Sequence, residues 1–203
     1  MSEIEKISEW LGSGSINIFG TPYAGKDTQG GHLARDLNTV RLSGGEILRN
    51  SNIPPHVKKA IDSGVLAPTK DYIDIVVPYL SQQRFTGKPL VLSSVGRWKG
   101  EERGVIEALK TAGHELKAVI LLDINEDIVR ERFHAAVEKG DRGERADDEE
   151  HLLDVRLREY REKTMPVLEF YEEMGLLDRI DGQGAIEDTY AQIIAKLLAR
   201  ANS

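Results

Sequence analysis

The chain has 203 residues and a formal net charge of -7, and 40% of its residues are hydrophobic and 30% charged. This composition predicts one globular domain with a core, and its acidic balance argues against general binding to nucleic acid or acidic lipid. The sequence contains no cysteine, which excludes disulfides, thiol nucleophiles and cysteine-ligated metal sites. It shows neither an apolar run long enough to span a membrane nor a signal-peptide pattern, so we expect a cytoplasmic protein.

Short apolar segments alternate with helical ones along the chain. The expected strands are 16–19, 39–42, 89–92, 116–122 and 176–180. The fourth is apolar without alternation, which is typical of a strand buried on both faces of a parallel sheet. Strands that are regularly separated by helices predict an α/β fold, in which a parallel five-stranded sheet is flanked by helices.

Residues with 3.6-residue spacing predict the helices between these strands. Thr69 and Asn125 are expected to cap two of them, and Gly113 is expected to end another. Pro166 is expected to interrupt the helix before it, because proline lacks a backbone N–H. The segments with clear apolar faces are 4–11, 26–37, 73–80, 105–109, 153–160 and 186–198.

Two segments do not fit this alternation. Segment 43–68 predicts two short helices, the second opened by Pro54 and Pro55. Segment 138–148 is highly charged and contains two glycines. Long excursions from a compact α/β core are usually functional, so we expect both to be lids or binding loops.

A phosphate-binding pattern follows the first strand. Residues from Gly20 to Lys26 have the form G-x-x-x-x-G-K and lead directly into a helix. Backbone N–H groups of such a loop wrap a phosphate, and the lysine reaches the outer phosphates. The alternative is a glycine-rich turn with a surface lysine. The next residue is usually Ser or Thr, which contacts magnesium, but here it is Asp27, followed by Thr28.

The loop GTPYAGKDTQ resembles that of the adenylate kinase family, and six further segments resemble this family in the same order. They are SGGEILR from Ser43, SGVLA from Ser63, SSVGR from Ser93, RADD from Arg145 with Arg156 behind it, Pro166 with Tyr171, and IDGQG from Ile180. One such match would be weak, but an ordered series covers nearly the whole chain.

The resemblance implies a P-loop NTPase-like fold in a single kinase domain. Its core would comprise 1–42, 69–133 and 147–203, with 43–68 as the insert that binds a nucleoside monophosphate and 134–146 as a short lid. The implied activity is reversible phosphoryl transfer from ATP to AMP, giving two ADP. The implied cofactor is Mg²⁺ carried by the nucleotide, with no direct protein ligand and with Thr28 and Ser93 nearby. We expect a monomer without nucleic-acid or membrane partners.

The resemblance also assigns roles to individual residues. Five cations would offset the charge that develops during transfer: Lys26, Arg97, Arg132, Arg145 and Arg156. ATP would contact Tyr23, Ala24, Gly25, Lys26, Asp27, Thr28, Arg132 and Gly184. AMP would contact Gly44, Arg49, Val65, Leu66, Ala67, Ser94, Arg97, Glu101, Arg145 and Arg156. Asp147 and Asp148 would hold the lid arginines.

Several positions depart from the family pattern near the phosphates. Tyr23 replaces a glycine, so we expect a negative φ there. Asp27 either places a carboxylate beside the phosphates or points outward and favours the helix N-terminus. Ser93 replaces the aspartate that orders the water shell of magnesium. The family has a second arginine at the base of the lid, where this chain has Ala136; Arg142 is the alternative residue for that role. These changes keep open a weakly catalytic nucleotide-binding protein.

The residue expected to read the acceptor base also differs. The family uses a glutamine where this chain has Glu101, and Gly44 replaces a threonine near the base. An ionised carboxylate accepts hydrogen bonds but donates none, which suits the N–H donors of guanine better than adenine. AMP is therefore the leading acceptor, and GMP is the alternative.

Overall fold

The computed structural model describes residues 1–66, 69–139 and 150–203, without the side chains of Thr69 and Val77. The predictions for Ala67, Arg142, Arg145, Asp147 and Asp148 therefore lie outside the described residues, and the cap predicted at Thr69 stays a prediction.

A parallel sheet organises the described residues. Its strands are β1 (Ser15–Gly20), β2 (Val40–Ser43), β3 (Leu90–Ser93), β4 (Leu116–Asp123) and β5 (Leu177–Asp181). They lie in the order β2-β3-β1-β4-β5, and every pair is parallel. Each strand begins and ends within one residue of its predicted bounds. The predicted α/β fold is confirmed.

Helices connect the strands and cover the sheet. They are α1 (Glu3–Leu11), α2 (Lys26–Asp36), α3 (Gly44–Arg49), α4 (Pro55–Asp62), α5 (Thr69–Leu80), α6 (Glu101–Thr111), α7 (Glu126–Lys139), α8 (Glu150–Glu159), α9 (Met165–Glu173) and α10 (Ile186–Ala201). Asn125 caps α7 as predicted, since its Oδ1 accepts the N–H of Ile128 at 2.9 Å. No helix of the described residues is long and apolar enough to cross a membrane.

The central strands divide the core into two layers. Along β4, Ile120 and Leu122 pack with α1, α2 and α10 on one face, while Val119 and Leu121 pack with α6 and α9 on the other. This alternation follows from the two-residue period of a strand. Its consequence is that β1 and β4 are buried on both faces and hold their carboxyl ends in fixed positions.

The helix that contains Pro166 differs from the prediction. Helices α8 and α9 are joined by a π turn over Tyr160–Thr164, so Pro166 does not interrupt the helical path. The π turn shifts the backbone hydrogen bonding, and Pro166 falls in the first turn of α9, where a missing N–H is tolerated. The prediction of an interruption is therefore wrong.

Segment 43–68 forms the two short helices that were predicted. Ser43 caps α3 through a reciprocal pair of bonds, in which the N–H of Glu46 donates to Ser43 Oγ at 3.0 Å and the N–H of Ser43 donates to Glu46 Oε2 at 3.3 Å. Pro55 opens α4. Residues 134–139 of the predicted lid continue α7, and 140–146 lie outside the described residues.

Candidate active site

The loop between β1 and α2 has the tight geometry that a phosphate cradle requires. A Cβ on Gly20 would lie 2.9 Å from the Cβ of Ala24 and 2.9 Å from the carbonyl oxygen of Leu122, so no side chain fits there. Gly25 has a φ of 90° and precedes the first residue of α2. The backbone N–H groups at this helix N-terminus can therefore approach an anion closely.

Tyr23 adopts a left-handed backbone, with a φ of 61°. The negative φ predicted for it is therefore wrong, because the loop keeps the turn that glycine favours even with a side chain present. Left-handed backbone costs a non-glycine residue roughly 1–2 kcal/mol. Contacts of the ring offset this cost: it packs edge-on against Phe133 with 5.4 Å between centroids, and the Arg156 guanidinium lies 5.7 Å from its centre.

Lys26 folds back over the loop. Its Nζ donates to the carbonyl oxygens of Gly20 at 3.0 Å and Thr21 at 2.6 Å. These bonds hold the ammonium group at the entrance of the loop, where it can interact with a phosphate.

A cavity of about 140 Å³ lies at the carboxyl ends of β1 and β3. The insert helices α3 and α4, the end of α8 and the π turn form its other walls. Such a position is where open parallel sheets bind ligands. Four cationic side chains line the cavity: Lys26, Arg49, Arg97 and Arg156. On a chain with a net charge of -7, this concentration marks a site for a polyanion.

The arginines of this cavity are electrostatically crowded. Burial lowers the pKa of Arg97, and the positive charges of Arg156 and Arg49 lower it further. The Tyr72 hydroxyl and the Glu101 carboxylate act in the opposite direction. A bound phosphate would neutralise this cluster, and guanidinium groups bind phosphate with two parallel hydrogen bonds.

The structure brings many of the predicted site residues to the cavity. Its lining includes Tyr23, Lys26, Asp27, Arg49, Val65, Leu66, Ser93, Ser94, Arg97 and Arg156. Other described candidates lie elsewhere: Ala24, Gly25, Thr28, Gly44, Glu101, Arg132 and Gly184 do not line it.

Arg132 lies on the outer side of the phosphate loop. Its guanidinium donates to the carbonyl oxygen of Gly182 at 2.8 Å, and the carbonyl oxygen of Tyr23 lies at 3.5 Å. Arg132 therefore joins α7 to the turn that contains Gly184. Arg132 thus contacts both the phosphate loop, at Tyr23, and the residues that directly precede Gly184.

Asp27 lines the cavity and takes part in a network of polar side chains. Its Oδ1 accepts from Arg41 at 2.8 Å and from the Ser93 hydroxyl at 3.2 Å. Arg41 also donates to Glu46 at 2.8 Å. Arg41 is a functional candidate that sequence reasoning missed, although a charged residue inside a short strand is a signal that could have found it.

Glu101 is buried and is not among the residues that line the cavity. Its side chain is 2% exposed, and Oε2 accepts the N–H of Trp98 at 3.0 Å. Gly44 also lies behind the cavity wall. A Cβ there would come within 2.8 Å of the Ser94 carbonyl oxygen and 2.9 Å of the Tyr72 hydroxyl.

Tyr72 explains why residue 44 is glycine. Its side chain is 6% exposed, and its hydroxyl oxygen accepts the N–H of Gly96 at 2.8 Å. Burial, together with the charge of Glu101, raises the pKa of Tyr72, so its hydroxyl stays protonated. The hydroxyl occupies the space that a side chain at residue 44 would need. No local sequence pattern connects residues 44, 72 and 96.

Glu159 is a further residue that the sequence did not reveal. Its side chain lines the cavity, although the residue is only 8% exposed. It accepts the N–H of Leu66 at 3.1 Å and the ammonium of Lys163 at 2.7 Å. Glu159 thereby attaches the turn after α4 to α8, and so brings the insert against the core.

Comparison with known proteins identifies the family. A family model described as adenylate kinase matches residues 18–176 of the chain. The chain belongs to the adenylate kinase family. It is 32% identical over 190 residues to an adenylate kinase of Thermus thermophilus, covering 90% of this chain and 96% of the relative. It is 34% identical over 195 residues to one of Bartonella bacilliformis, covering 90% and 98% respectively.

A third relative agrees with this assignment. An adenylate kinase of Leptospira biflexa is 30% identical over 186 residues, covering 89% of this chain and 97% of the relative. The protein is therefore a nucleoside monophosphate kinase with a nucleotide-binding P-loop, as the order of its motifs predicted.

The oxygen atoms near the loop of this kinase suit a hard cation. Asp27 supplies a carboxylate and Ser93 a hydroxyl, and both line the cavity; oxygen atoms of these kinds are the donors that Mg²⁺ prefers. The Thr21 hydroxyl oxygen is buried within the loop without a hydrogen-bond partner. Within the described ranges, no group of three or more His, Asp or Glu residues could hold a metal alone. This donor set fits a Mg²⁺ ion that arrives with nucleotide phosphates.

Proposed function

We propose that the protein is an adenylate kinase that transfers a phosphoryl group from Mg²⁺-bound ATP to AMP, reversibly, giving two ADP. The observation that carries this proposal is the single cavity that joins Lys26 of the phosphate loop to Arg49, Arg97 and Arg156. A protein that only binds a nucleotide has no need for cations on both sides of a transferring phosphate. Phosphoryl transfer needs them, because charge spreads over the equatorial oxygens in the transition state.

The roles follow from the placement of each cation. Lys26 would bind the outer phosphates of ATP at the N-terminus of α2. Arg49 and Arg97 would hold the phosphate of the acceptor, and Arg156 would bridge the two nucleotides. Mg²⁺ bound to ATP would offset further negative charge. Water exclusion would come from the insert, which Glu159 holds against α8 through the N–H of Leu66.

Two observations favour AMP over GMP as the acceptor. The relatives named above are adenylate kinases over nearly their whole length. In addition, the Glu101 carboxylate accepts the backbone N–H of Trp98 and does not line the cavity. A carboxylate that selects guanine would have to face the base.

The direct test measures diphosphate formation by the purified chain. ATP and Mg²⁺ would be incubated with AMP, GMP, CMP or UMP, and the products would be separated by ion-exchange chromatography. We expect ADP from AMP, poor conversion of the other three, and loss of transfer in excess EDTA. The Lys26→Met variant, purified in parallel, controls for contaminating kinases. Preferred conversion of GMP would overturn the acceptor assignment, and no transfer to any acceptor would overturn the enzyme assignment.

We further propose a cytoplasmic monomer, since the cavity is built from residues of one chain. Light scattering coupled to size-exclusion chromatography should give the mass of one chain. A dimer that persists on dilution would contradict this part of the proposal.

A further inference from the structure

Asp27 occupies a position of general importance in phosphate loops. It directly follows Lys26 and lies in the first turn of α2. In P-loop proteins, the side chain after the lysine supplies an oxygen to Mg²⁺, usually from Ser or Thr. A carboxylate there is a stronger oxygen donor for a hard cation than a hydroxyl, but it repels phosphate when no cation is present.

The surroundings of Asp27 place this carboxylate at the end of a neighbouring strand. Its Oδ1 lies 3.2 Å from the hydroxyl of Ser93, the last residue of β3. Ser93 and Ser43 are paired at the ends of β3 and β2, so Asp27 bridges the phosphate loop and this edge of the sheet. P-loop proteins bring a second oxygen ligand for Mg²⁺ from a strand end of this kind, typically an aspartate. Here the strand supplies only a hydroxyl.

Arg41 holds the Asp27 carboxylate in place without neutralising the local charge. One guanidinium contacts two carboxylates, Asp27 and Glu46, at 2.8 Å each. The three groups together carry one net negative charge. The Asp27 side chain remains 49% exposed and lines the cavity together with Lys26. A carboxylate can accept about four hydrogen bonds or metal contacts.

We propose that a carboxylate oxygen of Asp27 contacts the Mg²⁺ ion that accompanies ATP. Asp27, on α2, would thereby supply the carboxylate that is missing from the end of β3, where residue 93 is a serine. This inference rests on the proposed use of Mg²⁺-bound ATP. Asp27 makes the affinity for ATP depend on the metal, because its negative charge weakens the binding of ATP alone and strengthens the binding of ATP with Mg²⁺. The carboxylate is therefore on residue 27 instead of residue 93, and the two side chains are in contact at 3.2 Å.

The test compares ATP binding with and without metal by isothermal titration calorimetry, independently of turnover. The measured quantity is the ratio of the Kd in EDTA to the Kd in excess Mg²⁺. Because the variant loses the negative charge that faces the metal, Asp27→Asn should lower this ratio by about tenfold or more. The variant should bind ATP more tightly in EDTA and less tightly in Mg²⁺.

A second variant restores the carboxylate from the other side of the contact. In the double variant Asp27→Asn with Ser93→Asp, the ratio of the two Kd values should return most of the way to that of the unmodified protein, because the new carboxylate lies at the end of β3. Asp127→Asn is the matched control, since Asp127 is an exposed residue in the first turn of α7 and lies outside the cavity. Its ratio should equal that of the unmodified protein. Circular dichroism melting curves would show that each variant folds.

Two outcomes would overturn the inference. One is an unchanged ratio in Asp27→Asn, with binding strengthened equally in EDTA and in Mg²⁺, which would mean that Asp27 only repels phosphate. The other is a double variant whose ratio stays as low as that of Asp27→Asn. Neither outcome affects the proposed function, which is tested separately by the transfer of phosphate from ATP to the four acceptors by the unmodified chain.

Discussion

Asp27 and Glu101 are carboxylates at positions where the family pattern has neutral residues, and they differ in exposure and in hydrogen-bond partners. Asp27 lies at the phosphate end of the cavity, half-exposed, with Arg41 and Ser93 as partners. Glu101 lies at the start of α6, 2% exposed, and its carboxylate accepts the backbone N–H of Trp98. A carboxylate in the first region can act on phosphate and metal. In the second region it stabilises a helix N-terminus.

The largest effect should follow from removal of a cavity cation. Arg156→Ala removes a guanidinium that lines the cavity, while Arg158→Ala removes an exposed one from the same helix. Loss of one group that stabilises the transition state costs about 10²–10³ in kcat. We expect this loss in Arg156→Ala and less than twofold change in Arg158→Ala, measured as initial rates of ADP formation. Equal rates for the two variants would show that the cavity is not the site of transfer.

The next effect concerns the packing around Gly44, which leaves no room for a side chain. In Gly44→Ala, the new methyl group would meet the Ser94 carbonyl oxygen and the Tyr72 hydroxyl within 3 Å. Overpacking of this kind typically lowers the free energy of unfolding by about 1–3 kcal/mol. Urea denaturation would measure it.

The control for this prediction is Gly31→Ala in α2, where a Cβ meets nothing within 4 Å. It should raise the free energy of unfolding by roughly 0.5–1 kcal/mol, because alanine favours the helix. A Gly44→Ala variant as stable as the unmodified chain would mean that Tyr72 does not fill this space.

A smaller effect is expected at Glu101 itself. In Glu101→Gln, the side-chain carbonyl oxygen can still accept the N–H of Trp98, so the fold should be retained. The ratio of kcat/KM for AMP to that for GMP should change by less than about threefold, well under the 1.4 kcal/mol that a tenfold change represents. A change of tenfold or more would mean that Glu101 faces the base during catalysis.

A further prediction concerns a carboxylate outside the site. The Tyr190 hydroxyl, which donates to Asp36 at 2.6 Å, and the neighbouring Arg35 lower the pKa of Asp36. Stability from this ionised group is present above the ordinary pKa of about 3.9 and is lost as the pH falls through the lower folded value. Tyr190→Phe should therefore lower the free energy of unfolding on the order of 1 kcal/mol at pH 7. This difference should shrink below about pH 4. A difference that grows on acidification would contradict it.

Features that depend on residues close together in the sequence were predicted correctly, whereas features that depend on distant contacts were not. The strand β4 and the cap at Asn125 depend on neighbouring residues, and both were predicted correctly. The backbone of Tyr23 depends on a loop that is fixed by more distant contacts with Phe133 and Arg156. Its φ was therefore predicted wrongly.

The site shows the same division. Motifs located the phosphate loop and the cavity arginines, because their spacing is local and follows the family order. The contact between Asp27 and Ser93 and the one between Tyr72 and Gly96 join residues far apart in the chain. No local pattern in the sequence paired them. The Glu101 carboxylate accepts the N–H of Trp98, and a backbone partner of this kind is not indicated by any pattern of side chains in the sequence.

The most direct measurement is a crystal structure with Mg²⁺ and a bisubstrate analogue, two adenosines joined by a phosphate chain. We predict phosphates between Lys26 and the three arginines Arg49, Arg97 and Arg156. We also predict that the Mg²⁺ ion, or a water bound to it, contacts the Asp27 carboxylate, while the Glu101 carboxylate still accepts the N–H of Trp98. Phosphates outside this cavity would contradict the assignment of the active site, and a metal remote from Asp27 would contradict its role.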